Sequence, residues 1–301
     1  MTTTIQELDL ARELQPTVER ALERHLTVAK EWFPHEYVPW ARGRDFIDEP
    51  FEPDQSTLPA HVSVAVQLNL LTEDNLPGYH REIYRSFGTD GPWQTWIDRW
   101  TAEEGRHAIV IRDYLTVVRA VDPRVLEQER MATMEAGFYA PEKDLLRTAA
   151  YVSLQELATR VSHRNTGLQS GDPLLDKLLG RVAADENLHM IFYRDLFRAS
   201  LELAPAQAME ALADEIEGFA MPGTGIPGFL RKAATIAKHG IYDLPQHRDA
   251  VLRPLLEFWK IFELSDLDGR AEAARGRIAL ACEQLDAKIT KMRSRAARVA
   301  G

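Results

Sequence analysis

Cysteine is nearly absent from the sequence, since Cys282 is the only one among 301 residues. The chain therefore has neither an internal disulfide nor a metal site built from several cysteines, and we expect a cytoplasmic protein. No stretch approaches the roughly eighteen consecutive apolar residues of a membrane-spanning helix, and Met1–Leu10 lacks the basic and apolar regions of an export signal. We expect no membrane span.

Excess positive charge is also missing. The chain has 36 Lys and Arg against 46 Asp and Glu, a net charge of −10. Such a molecule repels phosphate backbones, so nucleic acid is not an expected partner. A hydrophobic content of 45% with 27% charged residues is typical of a globular protein rather than a disordered one.

Alternating apolar and polar runs that would predict β-strands are absent, whereas apolar residues recur at helical spacing through nearly the whole chain. The fold class we predict is all-α, a single domain over 1–301 with a four-helix core at 58–202 and additional helices at 203–301. The predicted helices lie near 8–31, 58–87, 92–121, 123–137, 142–169, 172–202, 205–219 and 227–240 and within 245–298, with an extended segment at 32–57. The breaker-rich run Met221–Gly228 predicts a loop.

Two copies of one short motif carry the chemistry. They are Glu104-Gly-Arg-His107 and Glu186-Asn-Leu-His189, and on a helix residues i and i+3 share a face. Another glutamate precedes each copy at nearly the same distance, Glu73 by 104 − 73 = 31 residues and Glu156 by 186 − 156 = 30 residues. The pattern indicates an internal duplication.

These six residues fall on apolar helix faces, where hydrophobic side chains would be expected. Burying four unpaired carboxylates costs on the order of ten kcal/mol or more, which two divalent cations would offset. A shell of oxygen and nitrogen ligands without sulfur suits iron or manganese. One Glu from each of two helices and Glu-x-x-His from each of the others is the known ligand template of ferritin-like di-iron bundles.

The residues around these motifs resemble the soluble acyl-acyl carrier protein desaturases, especially the actinobacterial branch. The similar segments cover most of the chain: Leu71–Pro77, Trp100–His107, Gln155–Thr166, Ala184–His189, Trp32–Pro39, Met221-Pro222 and Trp259-Lys260. The resemblance implies a ferritin-like di-iron four-helix core with additional N- and C-terminal helices. It also implies iron ligation by Glu73, Glu104, His107, Glu156, Glu186 and His189, with Glu104 and Glu156 as the bridging carboxylates.

The same resemblance suggests roles for residues around the ligands. Thr159 looks like a hydroxyl that assists proton delivery, although it equally fits an ordinary helix threonine bonded to its own backbone. Asp185, Trp32 and Trp100 resemble residues that orient a histidine ligand or relay electrons, while plain core packing also explains the tryptophans. Pro77 lies four residues after Glu73, where its ring should disturb the ligand's carbonyl and bend the helix.

The activity implied is O2-dependent desaturation of an acyl chain carried by acyl carrier protein, with two iron ions as cofactor. The sequence has no flavin or nicotinamide fingerprint, so electrons must come from outside, and the resemblance implies a ferredoxin-type donor and a homodimer. An acidic carrier protein needs a local basic patch on this acidic chain. Candidates are Arg20, Arg24 and Lys30 on the first helix, although the interleaved Glu19, Glu23 and Glu31 also fit a solvated face. A carboxyl-terminal set could dock an acidic partner but also fits a solvated helix end: Lys288, Lys291, Arg293, Arg295 and Arg298.

Three residues depart from the plastid pattern. Glu82, Arg85 and Ser86 fall where the acyl tunnel is expected and are more polar than their plastid equivalents, so chain length and double-bond position do not carry over. Alternatives therefore stay open: an acyl hydroxylase, a ferroxidase, a radical-generating subunit or an inactive desaturase homologue. The radical tyrosine of such subunits follows the first-motif histidine by four residues, where this chain has Ile111; Tyr193 occupies the equivalent place in the second motif.

Overall fold

A computed structural model describes residues 7–88, 90–138 and 141–300, and within these ranges the regular elements are all helical. The helices are α1 (Glu7–Val28), α2 (Ala60–Glu73), α3 (Leu76–Phe87), α4 (Gly91–Val117), α5 (Pro123–Ala136), α6 (Leu145–Gln169), α7 (Pro173–Leu203), α8 (Pro205–Glu217), α9 (Phe229–Lys238), α10 (Leu244–Gln246), α11 (Arg253–Phe258) and α12 (Gly269–Ala300). A π-helical turn, His247–Leu252, joins α10 to α11. The all-α prediction is confirmed.

The predicted helix at 58–87 is wrong as a single element. It divides into α2, which ends at Glu73, and α3, which begins at Leu76 with Pro77 in its first turn. Proline has no N–H to donate, and its ring clashes with the carbonyl four residues earlier, here that of Glu73. The break places the Glu73 side chain at the end of α2.

Other boundaries also differ from the sequence prediction. Helix α6 starts at Leu145, because Asp144 accepts a hydrogen bond from the backbone N–H of Arg147 at 2.8 Å and caps it. The region predicted as helices within 245–298 is interrupted between α11 and α12. The segment 32–57 contains only three short 3₁₀ turns. The predicted loop Met221–Gly228 lies within the non-helical segment 218–228.

Four helical rods form the core of the fold. Helix α6 packs along α7, α7 contacts α4, α4 contacts α2, and α2 returns to α6, so the four enclose a common interior. Helix α3 continues from α2 against α4 and α6. Around this bundle, α1 covers α4 and α7, α8 covers α6 and α7, α9 packs on α2, and α12 packs on α8.

The interior of the bundle is apolar on both sides of one polar layer. One buried cluster includes Trp96, Ile97, Leu154 and Phe197. The other includes Val66, Ile111, Leu115 and Leu179 from the opposite halves of α2, α4 and α7. Burial of such side chains contributes about 1.5–3 kcal/mol each, which holds the polar layer between them at fixed positions. Among the described residues, no helix is long and apolar enough to cross a membrane.

Candidate metal centre

The six predicted ligands occupy the polar layer. Glu73 ends α2, Glu104 and His107 lie on α4, Glu156 on α6, and Glu186 and His189 on α7. All six are buried, with exposed fractions between 0 and 7%. The i, i+3 spacing in α4 and α7 aims each Glu and its His at the bundle interior.

These side chains form two overlapping groups. One consists of Glu73, Glu104, His107 and Glu186, and the other of Glu104, Glu156, Glu186 and His189. Within each group, one ligand atom from every residue lies within 4.8 Å of the others. Glu104 and Glu186 belong to both groups, whereas Glu156, which the resemblance pairs with Glu104 as a bridging carboxylate, belongs to one.

The histidines present the same nitrogen to the centre. Nδ1 of His107 lies 3.4 Å from carboxylate oxygens of both Glu104 and Glu186. Nδ1 of His189 lies 2.8 Å from Oε1 of Glu104 and 3.6 Å from Oε2 of Glu156. Each ring therefore turns its Nε2 away from the centre.

The inward-facing atoms have no hydrogen-bond partner among the described residues. They are Oε1 of Glu104, Nδ1 of His107, Oε2 of Glu156, both carboxylate oxygens of Glu186 and Nδ1 of His189. The 2.8 Å approach of His189 to Glu104 is close, but it does not have hydrogen-bond geometry. Buried polar atoms are normally paired. Their convergence on one interior volume fits metal ligands, and the donor set of carboxylates and imidazoles fits iron or manganese.

Electrostatics support the same interpretation. Burial raises the pKa of Glu186 well above its usual value, and the nearby charges of Glu104 and Glu156 raise it further. Burial also acts to raise the pKa of Glu104, but the charge of His107 and the contacts of both imidazoles together outweigh it, and the pKa is lowered. Four carboxylates this close cannot all stay ionised without compensating cations. Divalent metal ions would supply that charge.

Asp185 and Trp32 support His107. Oδ2 of Asp185 lies 3.5 Å from Nε2 of His107 and accepts a 2.7 Å hydrogen bond from the Trp32 indole N–H. Arg181 and Arg106 also contact the Asp185 carboxylate. Burial would raise the pKa of Asp185, but the adjacent His107 imidazole and the other positive charges nearby bring it to about 2. Asp185 therefore lies beside His107, and Trp32 holds the Asp185 carboxylate.

The other two predicted residues also line the site. The indole N–H of Trp100 donates to Oε1 of Glu156 at 3.0 Å. The Thr159 hydroxyl donates to the backbone carbonyl of Gln155 at 3.0 Å and accepts from the side-chain amide of the same residue. This is the backbone bond of an ordinary helix threonine, and its proton-delivery role stays a prediction.

Sequence reasoning missed Glu103, which supports His189. Oε2 of Glu103 lies 3.0 Å from Nε2 of His189 and 2.8 Å from Nε2 of the buried His25 on α1, while Arg99 donates to its other oxygen. Hydrogen bonds from the two imidazoles outweigh burial and hold the pKa of Glu103 well below its usual range. The signal was available, because Glu103 directly precedes Glu104 just as Asp185 directly precedes Glu186.

His163 was also missed as a functional residue. Its Nε2 lies 2.9 Å from Oε1 of Glu73, and its Nδ1 lies 3.2 Å from the Asn69 amide nitrogen. The imidazole thus holds the Glu73 carboxylate from outside the metal groups. His163 follows Glu156 by 163 − 156 = 7 residues, which is two helical turns along the same face. That spacing could have indicated that His163 lies near the metal centre.

Two cavities meet at this site. The larger, of about 400 Å³, touches Glu73, Trp100, Glu104, Thr159 and Glu186, and its walls extend away through Tyr79, Ile83 and Val152 to the predicted trio Glu82, Arg85 and Ser86. The smaller, of about 90 Å³, lies between α2, α6 and α9 and also reaches Glu73 and Thr159. A chain-like molecule in these cavities would pass the carboxylates of the metal centre.

The fold and the site together define a class, an all-helical bundle with a buried, duplicated Glu/His centre able to hold metal ions, as in ferritin-like carboxylate proteins. The chain belongs to the fatty acid desaturase family, which matches it over residues 6–300.

Known relatives agree with this assignment. The chain is 45% identical to DesA1 of Mycobacterium tuberculosis, provisionally named an acyl-[acyl-carrier-protein] desaturase, over 97% of this chain and 89% of that protein. It is 28% identical to stearoyl-[acyl-carrier-protein] 9-desaturase 5 of Arabidopsis thaliana, over 97% and 78% of the two chains. The X-ray structure of DesA2 from M. tuberculosis H37Rv matches with a TM-score of 0.72 and 29% identity, covering 88% of this chain and 98% of that one.

Proposed function

We propose that this protein desaturates the acyl chain of an acyl-acyl carrier protein, using O2 and a pair of iron ions. The observation that carries the proposal is the cavity whose wall includes Glu73, Glu104 and Glu186, because it brings a bound chain beside the centre. The family assignment and the names of the relatives support the substrate class.

Glu73, Glu104, His107, Glu156, Glu186 and His189 would hold the two ions. Bound iron would supply the oxidation of an unactivated methylene, chemistry that no side chain performs alone. Glu103 and Asp185 would fix the two imidazoles with Nδ1 toward the metal, as carboxylates do for metal-bound histidines. Trp100 and His163 would hold the carboxylates of Glu156 and Glu73.

The cavity would position the substrate and exclude water. Tyr79, Ile83, Trp100 and Val152 line its buried part and leave room for a hydrocarbon chain. Holding two adjacent carbons beside the centre lowers the entropic part of the barrier. The Thr159 hydroxyl lies in the same wall and would move protons to the site during turnover.

The stoichiometry requires further partners. Removing two hydrogens from the chain and reducing O2 to two waters needs two more electrons and two more protons. A ferredoxin-type protein would donate the electrons. We also propose that the protein forms a homodimer and acts in the cytoplasm.

The radical-generating alternative is disfavoured by the aromatic positions. Ile111 occupies the place of the radical tyrosine and is buried in an apolar cluster. Tyr193 lies four residues after His189, and its buried hydroxyl has no hydrogen-bond partner among the described residues. A phenol without an acceptor cannot easily release its proton on oxidation, which makes Tyr193 a poor radical site.

The test is mass spectrometry of acyl chains after incubating iron-loaded protein with ferredoxin, its reductase, O2 and a panel of saturated acyl carrier protein thioesters. A product lighter by two hydrogens is expected, and its double-bond position gives the regiochemistry. A heavier product carrying one oxygen would instead identify a hydroxylase. If all chains return unchanged from protein with full iron content, the proposal is wrong.

A further inference from the structure

We infer that the exposed face of α9 is the docking surface for the acidic acyl carrier protein, so that the acyl chain enters through the smaller cavity. This inference rests on the proposed function. The exposed face is formed by Leu230, Arg231, Ala234 and Lys238.

Charge sets this segment apart from most of the chain. Residues 218–242 contain no Asp or Glu, although the whole chain has 46, and they include Arg231, Lys232 and Lys238. Lys232 is engaged by Glu129 at 2.8 Å. Arg231 and Lys238 are exposed and have no ion-pair partner among the described residues, which leaves them available to carboxylates of another protein.

The two faces of α9 connect the surface to the metal centre. Phe229, Ala233 and Ile236 line the smaller cavity, which ends at Glu73, Thr159 and His163. On the opposite face, Leu230 is 82% exposed and directly precedes Arg231 in the chain. An exposed apolar side chain beside cations suits a partner that presents acidic residues around an apolar spot.

The far end of the larger cavity has the opposite character. Its outer wall carries the carboxylates of Glu82, Glu142 and Asp144 beside the cations Arg85 and Lys143. Arg85 lies 3.6 Å from Glu82, and Lys143 lies 2.5 Å from Glu215. The cations there are already paired, so an acidic partner gains little at that end. The thioester would therefore lie near α9 and the hydrocarbon end near Glu82.

The other basic candidates lack this connection to the site. Arg24 is paired with Asp195 at 2.5 Å, and Lys30 lies beyond the end of α1 rather than on it. Lys288 and Lys291 are exposed on α12, which packs on α8 rather than on a metal-bearing helix.

The test compares two double charge-reversal variants. The α9 pair combines Arg231→Glu with Lys238→Glu. The control pair combines Lys288→Glu with Lys291→Glu on α12. Fluorescence anisotropy of a labelled acyl carrier protein bearing a palmitoyl group measures the dissociation constant for each iron-loaded enzyme. We expect the α9 pair to weaken binding roughly tenfold or more and the control pair to change it by less than about twofold. Product formation from palmitoyl-pantetheine, which has no carrier, should be unchanged in both.

Two failures are distinguishable. In the first, the wild type binds and desaturates, but both pairs weaken carrier-protein binding equally or the α9 pair does not weaken it at all. That result would overturn the docking surface alone. A wild-type enzyme that neither binds the carrier protein nor changes its acyl chain would overturn the proposed function and this inference together. Circular dichroism and iron content show that each variant is folded.

Discussion

The two histidines of the centre are held by carboxylates in a crossed arrangement, but the two halves are not equal. Asp185 on α7 supports His107 on α4, and Glu103 on α4 supports His189 on α7. The His189 contact is a 3.0 Å hydrogen bond, whereas the His107 contact is 3.5 Å. The duplicated sequence has therefore produced a tighter half and a looser half.

The outer partners differ as well. Asp185 is held by Trp32 and two arginines, whose N–H groups are permanent donors. Glu103 is held by Arg99 and by His25, which donates only in the tautomer or charge state with a proton on Nε2. Duplicated ligands therefore do not require duplicated support, and mutations in matched pairs can separate the contributions of Asp185 and Glu103.

The greatest loss of metal should follow substitution of a glutamate that belongs to both ligand groups. Glu104→Gln or Glu186→Gln removes a ligand from both groups and should abolish binding of both ions, whereas Glu73→Gln or Glu156→Gln should leave one ion bound. Metal content after desalting, measured by plasma mass spectrometry, checks this. Glu82→Gln, in the cavity wall but outside both groups, is the control. Loss of both ions from Glu73→Gln or Glu156→Gln would show that the two ligand groups do not bind metal separately.

A smaller effect is expected from the carboxylates behind the histidines. Asp185→Asn and Glu103→Gln should each weaken metal binding by about 10–100-fold, because the imidazole loses its orientation and basicity. The tighter contact predicts the larger loss for Glu103→Gln. Competition with a chelator measures the affinities, and Asp195→Asn, which breaks the Arg24 pair elsewhere on α7, is the matched control. Equal affinity for wild type and both variants would refute the crossed support.

The smallest loss of metal affinity is expected from the residues that hydrogen-bond to the glutamates belonging to one ligand group only. Trp100→Phe and His163→Gln each disturb one hydrogen bond, to Glu156 and Glu73 respectively, and should cost about 1 kcal/mol in metal binding or a few-fold in affinity. Because the affected carboxylates belong to different groups, isothermal titration should show the two losses at different ions. A loss of both ions in either variant would mean that these residues maintain the fold rather than one ligand.

The ligand positions were predictable because helical spacing alone brings Glu104 beside His107 and Glu186 beside His189. Glu73 and Glu156 followed from the duplication, and burial at apolar positions indicated a metal. The break after Glu73 was only suggested by Pro77, since a proline either bends or ends a helix depending on tertiary packing.

The sharing of Glu186 could not be predicted, because it depends on how far α7 lies from α2 and α6 in three dimensions. The role of His25 also required the packing of helices distant in sequence, because a lone histidine on a helix gives no periodic signal of its own. Glu103 and His163 lie at positions that the sequence could have indicated, but their partners depend on how α4 faces α7 and how α2 faces α6.

The metal centre is tested most directly by anomalous diffraction at the iron edge from crystals of the iron-loaded protein. We expect two peaks, one among Glu73, Glu104, His107 and Glu186 and one among Glu104, Glu156, Glu186 and His189, with Glu104 and Glu186 contacting both. A single peak, or a peak among His25, Glu103 and His189, would contradict this expectation.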